Sequence, residues 1–220
     1  MFYFLKLLQE DKGKINGGVN VSLEGKNIAI LVEDLYEDPE FWYPYYRFLE
    51  EGATVTAVAP QVKEYKSKHD YAVKPYIEPK VTKTEAGEFD WNWLNPFTIK
   101  HFISAKDAKA ADFDALIIPG GWGPDKMRRS PDMIRFVEEC NNQKVLIAAI
   151  CHGPWMLCSL KGALQGREAT CMPAMLDDIV NAGAKFVNKS VVRDGHIITS
   201  QVPNDLPYFC KEIIKALNEQ

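Results

Sequence analysis

The segment Ala149-Ile150-Cys151-His152-Gly153-Pro154 sets a thiol and an imidazole side by side, where the apolar run Val145–Ile150 gives way to glycine and proline. A buried strand that delivers a cysteine to the turn before a helix is the thiol counterpart of the strand–nucleophile–helix elbow of serine hydrolases. Free backbone N–H groups and the positive end of a helix favour thiolate over thiol there. Gly153 permits a close turn and Pro154 suits the first helical position. An imidazole at His152 would take the thiol's proton and later return it. A small buried core cysteine and a histidine that merely lines a loop are the plain alternatives. The setting between an apolar strand and His-Gly-Pro favours the nucleophile.

Such a group needs rigid elements to hold it. Asn27–Val32 is a near-continuous apolar run, the mark of a strand buried on both faces. Asp38-Pro39 then reads as an N-cap followed by a first-turn proline. The helix it opens carries Phe41, Trp42, Tyr45, Phe48 and Leu49 at helical spacing and ends at Gly52. Thr54–Ala59 is the next strand, and Ala115–Ile118 another, ended by Pro119-Gly120-Gly121. Ser130–Asn141 reads as a helix, Val145–Ile150 as a strand, and Pro154–Leu160 as a short helix stopped at Gly162. One or two strands fall within Ala182–Val192, another at Ile197–Thr199, and a last helix spans Leu206–Leu217. Strands alternating with helices predict an α/β fold with a mostly parallel sheet covered on both faces. Ligands bind beyond the carboxyl ends of such strands. Loops 33–38, 119–125 and 151–154 all lie there.

Residues 1–25 read as an N-terminal arm and lead-in, and 26–220 as a single domain. Residues 78–112 form an aromatic-rich insertion without periodicity, either packed on its own aromatics or forming a rim or oligomer contact. The net charge of -4 argues against a nucleic-acid partner. No apolar stretch reaches the roughly 20 residues of a membrane span. The N-terminus lacks the pattern of a secretory signal. The five cysteines are odd in number and unpaired in spacing, so neither a zinc site nor a disulfide framework is expected. Free thiols without a signal point to a reducing cytoplasm.

Four segments, in order, carry a resemblance: Tyr36-Glu37-Asp38, Pro119–Asp125, Ala149–Pro154 and Thr199–Leu206. Together they resemble the ThiJ/PfpI family, within the class I glutamine amidotransferase-like superfamily, and most closely its PfpI intracellular-protease branch. The similarity runs from about residue 26 to 217. It implies a flavodoxin-like three-layer sandwich and a thiolate that attacks an electrophilic carbon, without a cofactor or metal. It gives Glu37 as the carboxyl against the sulfur, where its pKa would be raised. The bland alternative is an acid that favours the helix dipole. Gly121 and the His152 backbone would supply oxyanion-hole N–H groups. Asp125 would match the carboxylate that reaches across a subunit interface to the neighbour's histidine; it serves equally as a helix cap. Trp122 suits either the pocket or an interface. The late His-x-Glu pair of true glutamine amidotransferases is absent: His196 has no acid two residues on. His69 and His101 receive no role.

The expected activity is therefore that of a cysteine-dependent hydrolase, peptidase, glyoxalase or deglycase on a small carbonyl compound or peptide, in a homo-oligomer. The alternative is a redox-sensing stress protein or chaperone that uses oxidation of Cys151.

Overall fold

The computed structural model describes residues 22–76 and 98–220. The N-terminal arm before residue 22 and the aromatic stretch Glu85–Phe97 lie outside the described residues. Seven strands form the main sheet: β1 (Asn27–Leu31), β2 (Thr54–Ala59), β6 (Phe102–Ser104), β7 (Ala115–Ile118), β8 (Leu146–Ile150), β11 (Val191–Asp194) and β12 (Ile197–Ser200). Their order is β11-β12-β8-β7-β1-β2-β6. Every neighbouring pair is parallel except the β11–β12 hairpin. Two small sheets sit beside it. One joins β3 (Tyr65–Lys66), β4 (Ala72–Pro75) and β5 (Thr98–Ile99), the other β9 (Glu168–Ala169) and β10 (Lys185–Phe186).

The sheet is covered on both faces, which is why its central strands read as unbroken apolar runs. Successive residues of β1 serve opposite faces. Ile28 and Ile30 join one core with Val55, Ala57 and Ile117, under helices α1 (Asp38–Glu50) and α6 (Leu206–Asn218). Ala29 and Leu31 join the other with Leu116, Ile118 and Ile147. Helices α2 (Gly123–Met127), α3 (Pro131–Asn142), α4 (Trp155–Cys158) and α5 (Leu176–Asn181) lie on that second side. This is the flavodoxin-like sandwich the sequence led us to expect.

Chain order places the site. From β1 the chain moves outward through β2 to β6, then returns to the far side of β1 for β7, β8 and β12. The loops after β1 and β7 therefore separate at a topological switch point, where such sheets bind ligands. An antiparallel bridge between Tyr36 and Gly121 ties these loops together. The Trp122 N–H donates to the Leu35 carbonyl at 2.8 Å, and the Glu37 N–H to that of Gly120 at 3.3 Å. A groove lined by Asn27, Thr56, His101 and Phe113 opens at the opposite ends of the strands, away from Cys151.

Three local expectations change. Asp38 is not the N-cap: Glu37 holds that position, extended and without a side-chain cap bond, and Asp38 is the first helical residue. Leu49 is exposed, while Phe41, Trp42, Tyr45 and Phe48 are buried as their spacing predicts. Leu23, placed by the sequence in the lead-in, is fully buried, and its N–H donates to the Glu51 carbonyl at 2.9 Å. The edge strand β6 went unread inside 78–112, because a three-residue, half-buried strand carries no periodicity to detect. Ser130 does cap its helix, its Oγ accepting from the Met133 N–H at 3.4 Å.

Phe136 is fully buried on α3 and meets Phe113 edge-on at 5.8 Å. Phe136→Ala is expected to lower unfolding free energy by about 3–5 kcal/mol. Tyr208→Ala, at a position 64% exposed, should change it by no more than about 0.5 kcal/mol. Urea denaturation of both variants checks the pair.

Candidate active site

Strand β8 runs between β7 and β12 and ends at Ile150, delivering Cys151 to the turn that follows. There the backbone turns into the left-handed region, φ 61°, which a residue with a Cβ enters only when held. It is held from both sides. The Cys151 N–H donates to the Ser200 carbonyl at 3.1 Å, and the Gly153 N–H closes back on Ile150 at 2.7 Å. The elbow expected from sequence is thus present, and its side chain is only 8% exposed.

Gly120 lets the walls close on the elbow. A Cβ there would lie 2.7 Å from the His152 nitrogen and 2.8 Å from both the Cys151 Cβ and a Glu40 oxygen. Only a bare backbone fits such an approach. The next residue, Gly121, has φ 70°. Its N–H and that of His152 both lie close enough to the Cys151 sulfur to favour its ionised form.

The carboxyl beside the sulfur is Glu40, not Glu37. Glu40 is fully buried. Its Oε2 accepts from the Gly120 N–H at 2.7 Å, while Oε1 has no partner among the described residues. Burial, opposed by the Gly120 N–H and aided by the charge of Glu37, pushes its pKa up to about 8. Glu37 instead forms an ion pair with the Lys68 Nζ. The two acids lie three residues apart at the start of α1 and so share a face. The deeper one reaches the sulfur and the shallower one the lysine. That spacing was the available signal, and the aromatic sequence around Glu40 masked it.

The thiol also departs from expectation. Burial, then the neighbouring Glu40 carboxyl, pushes Cys151 up to about 12, against the two N–H donors. Helix α4 has only four residues and begins four positions downstream, so its dipole is a weak counterweight.

His152 is half-buried, with Nδ1 3.3 Å from the Cys151 sulfur. Burial first, then the Lys68 charge, hold its pKa below the ordinary imidazole value, so the ring is neutral and able to accept a proton. It packs on two indoles, Trp122 at 5.2 Å and Trp155 at 4.7 Å between centroids. Asp125 is the third residue of α2, exposed, with no hydrogen bond or ion pair among the described residues. It is therefore not a helix cap. His69 Nδ1 meets the Asp38 Oδ2 at 2.7 Å. Glu37, Asp38 and His69 bring possible metal donors within 4.8 Å, with Lys68 already neutralising Glu37. His196 bonds Asn141 at 2.9 Å at the far end of β12 and takes no part.

A strained, buried cysteine at the carboxyl edge of an open parallel sheet defines an α/β protein with a thiol nucleophile elbow. The sequence matches the DJ-1/PfpI family over residues 26–216, and the chain belongs to that family. It is 33% identical over 193 residues to Protein/nucleic acid deglycase 2 of Escherichia coli, covering 87% of this chain and 98% of that one. It is 30% identical over 190 residues to Deglycase PfpI of Pyrococcus furiosus, covering 86% and 98%. A solved two-domain protein of Anabaena variabilis, with DJ-1/ThiJ/PfpI-like and ferritin-like domains, superposes with a TM-score of 0.72 at 34% identity. The match covers 87% of this chain and 48% of that one, so this chain spans about half its length. The family's cysteine-based, hydrolase- or deglycase-like function applies to this chain. No helix among the described residues is long and apolar enough to cross a membrane.

The raised pKa of Glu40 has a stability consequence. The unfolded carboxyl ionises near 4.5 and the folded one near 8. Between those values the native state keeps a proton that the unfolded chain has released, so stability falls as pH rises through this window. Glu40→Gln escapes that loss. At pH 9 its Tm should exceed the wild type's by at least about 3 °C, with the difference shrinking toward pH 5; about 1 kcal/mol corresponds to such a shift in a domain of this size. Calorimetry across pH checks this.

Proposed function

We propose that the chain is an enzyme in which Cys151 attacks the carbonyl carbon of a small aldehyde or ketone, free or as its adduct on an amine. One observation carries the reading: a neutral imidazole nitrogen lies 3.3 Å from a thiol that has two backbone N–H groups close to it. The sulfur's proton passes to His152 Nδ1 as sulfur bonds to carbon. The carbonyl π electrons move to oxygen, and the N–H groups of Gly121 and His152 receive the charge. Glu40 stays protonated at neutral pH and adds no negative charge beside the reacting sulfur. Relatives named deglycase support a carbonyl adduct as substrate. The 8% exposure of Cys151 supports a small carbonyl over a polypeptide chain.

The redox-sensing alternative draws less support. Oxidation follows thiolate character and exposure, and burial works against both at Cys151. A homo-oligomer that brings a neighbour's Asp125 to His152 remains part of the proposal. Asp125 is exposed and unbonded, and no carboxylate among the described residues bonds the His152 ring. Light scattering of the wild type is expected to show at least a dimer.

With methylglyoxal as probe, Cys151→Ala and Cys151→Ser should lose essentially all turnover while remaining folded. Wild-type kcat/KM should fall above about pH 8, as Glu40 ionises, and again on the acid side as His152 takes a proton. Glu40→Gln should remove the alkaline fall, whereas Glu37→Gln should keep it. A Cys151→Ala variant that retains turnover would dismiss the nucleophile, and an alkaline fall that persists in Glu40→Gln would dismiss the role given to that acid.

A further inference from the structure

His152 must present one ring nitrogen to the sulfur, yet no carboxylate among the described residues fixes its tautomer as the third member of a triad does. What touches the ring instead is aromatic. The Trp122, His152 and Trp155 rings form a closed group, with Trp122–His152 centroids at 5.2 Å, His152–Trp155 at 4.7 Å and Trp122–Trp155 at 6.2 Å.

Each tryptophan is fixed from a different part of the fold. The Trp155 Nε1 donates to the Asp178 Oδ2 of α5 at 2.9 Å. Trp122 follows the left-handed Gly121, and its backbone N–H donates to the Leu35 carbonyl at 2.8 Å. Trp122 is 53% exposed, so it contributes little to the core, and the packing it does make is on the imidazole and on Trp155. Aromatic pairs fix mutual orientation as well as burying area.

We infer that Trp122 and Trp155 are positioning residues that hold the His152 imidazole by ring packing, with Nδ1 turned to the Cys151 sulfur. The inference deepens the proposed function, because it states how the base of that reaction is aimed. The charged groups acting on the ring are few. Glu37 acts from the start of α1, Lys68 from the turn after β3, and Cys151 with Glu40 behind it from the elbow. Asp178 is engaged by the Trp155 indole, Arg128 just after α2 by Ser159, and Asp125 of α2 is exposed.

A carboxylate on the ring's outer nitrogen, such as a neighbour's Asp125, would fix the tautomer by a hydrogen bond, whereas the indoles fix it by packing. One measurement on the two sets of variants separates the devices. Histidine-labelled full-length protein is titrated by NMR, with His152 assigned among the four histidines by loss of its signal in His152→Gln. In the wild type, nitrogen shifts should report predominantly the tautomer protonated at Nε2. In Trp122→Ala the tautomer preference should weaken. Trp122→Phe, which keeps a ring, should restore it. Should the alanine variant not fold, Trp122→Leu, apolar but without a ring, takes its place with the same expectation. Asp125→Asn should keep the tautomer. An unchanged tautomer in the ringless variant would overturn the inference, as would a scrambled tautomer in Asp125→Asn alone. These signals need no substrate, so their outcome is independent of whether methylglyoxal is turned over. If it is, kcat of Trp122→Ala should fall about tenfold with KM little changed, the loss expected for a misaimed base.

Discussion

Glu40 and Cys151 are buried against each other: burial raises the free energy of both ionised forms, and a Glu40 carboxylate raises that of the thiolate further. Two negative charges in one dry site cannot both exist without strong compensation. The rest of the site reads as accommodation to that constraint. The Gly120 N–H steadies one Glu40 oxygen, and the N–H groups of Gly121 and His152 lie close to the sulfur. These donors are fixed dipoles, and they stabilise charge only as it forms. A base that is itself uncharged suits this arrangement, and His152 is kept neutral by burial and by Lys68.

Such an arrangement has to be assembled from distant parts of the chain with small tolerance. Residues 40, 120 and 151 belong to a helix after β1, a loop after β7 and an elbow after β8. The switch in strand order puts the ends of β1 and β7 side by side, and the parallel register sets β8 next to β7. The Tyr36–Gly121 bridge then locks the first two loops together. Strain at the Cys151 elbow, of order 1–3 kcal/mol, is offset by the sheet that holds it. The glycine at 120 is required because three groups converge on the space a Cβ would fill.

The outer shell divides into an ionic side and an aromatic side. Glu37 with Lys68 and Asp38 with His69 line the side formed by α1 and the turn after β3. Trp122 and Trp155 line the side formed by α2 and α4. The ionic side tunes charge at long range, since Lys68 and Glu37 act on His152 with opposite sign. The aromatic side acts by contact. The Cys151 thiol lies between the two.

The sequence by itself determined the elements and the nucleophile. Apolar runs at β1, β2, β7 and β8 are legible because a strand buried on both faces must be apolar throughout. Cys151, His152 and the Gly120-Gly121 turn are legible because an elbow and a close approach demand those residue types at those places. Family resemblance rested on the same short segments. Which acid meets the sulfur, how burial shifts the thiol, and what the imidazole packs against were decided only in three dimensions. Glu37 and Glu40 are both acids in one helical turn, and only the depth of each against β7 and β8 separates them. A pKa depends on burial and on neighbours far away in sequence, so the pull of the helix end could be read from the chain while the opposing desolvation could not. The contact of Trp122 with His152 spans thirty positions and comes from the packing of two loops, for which no periodicity exists in the sequence.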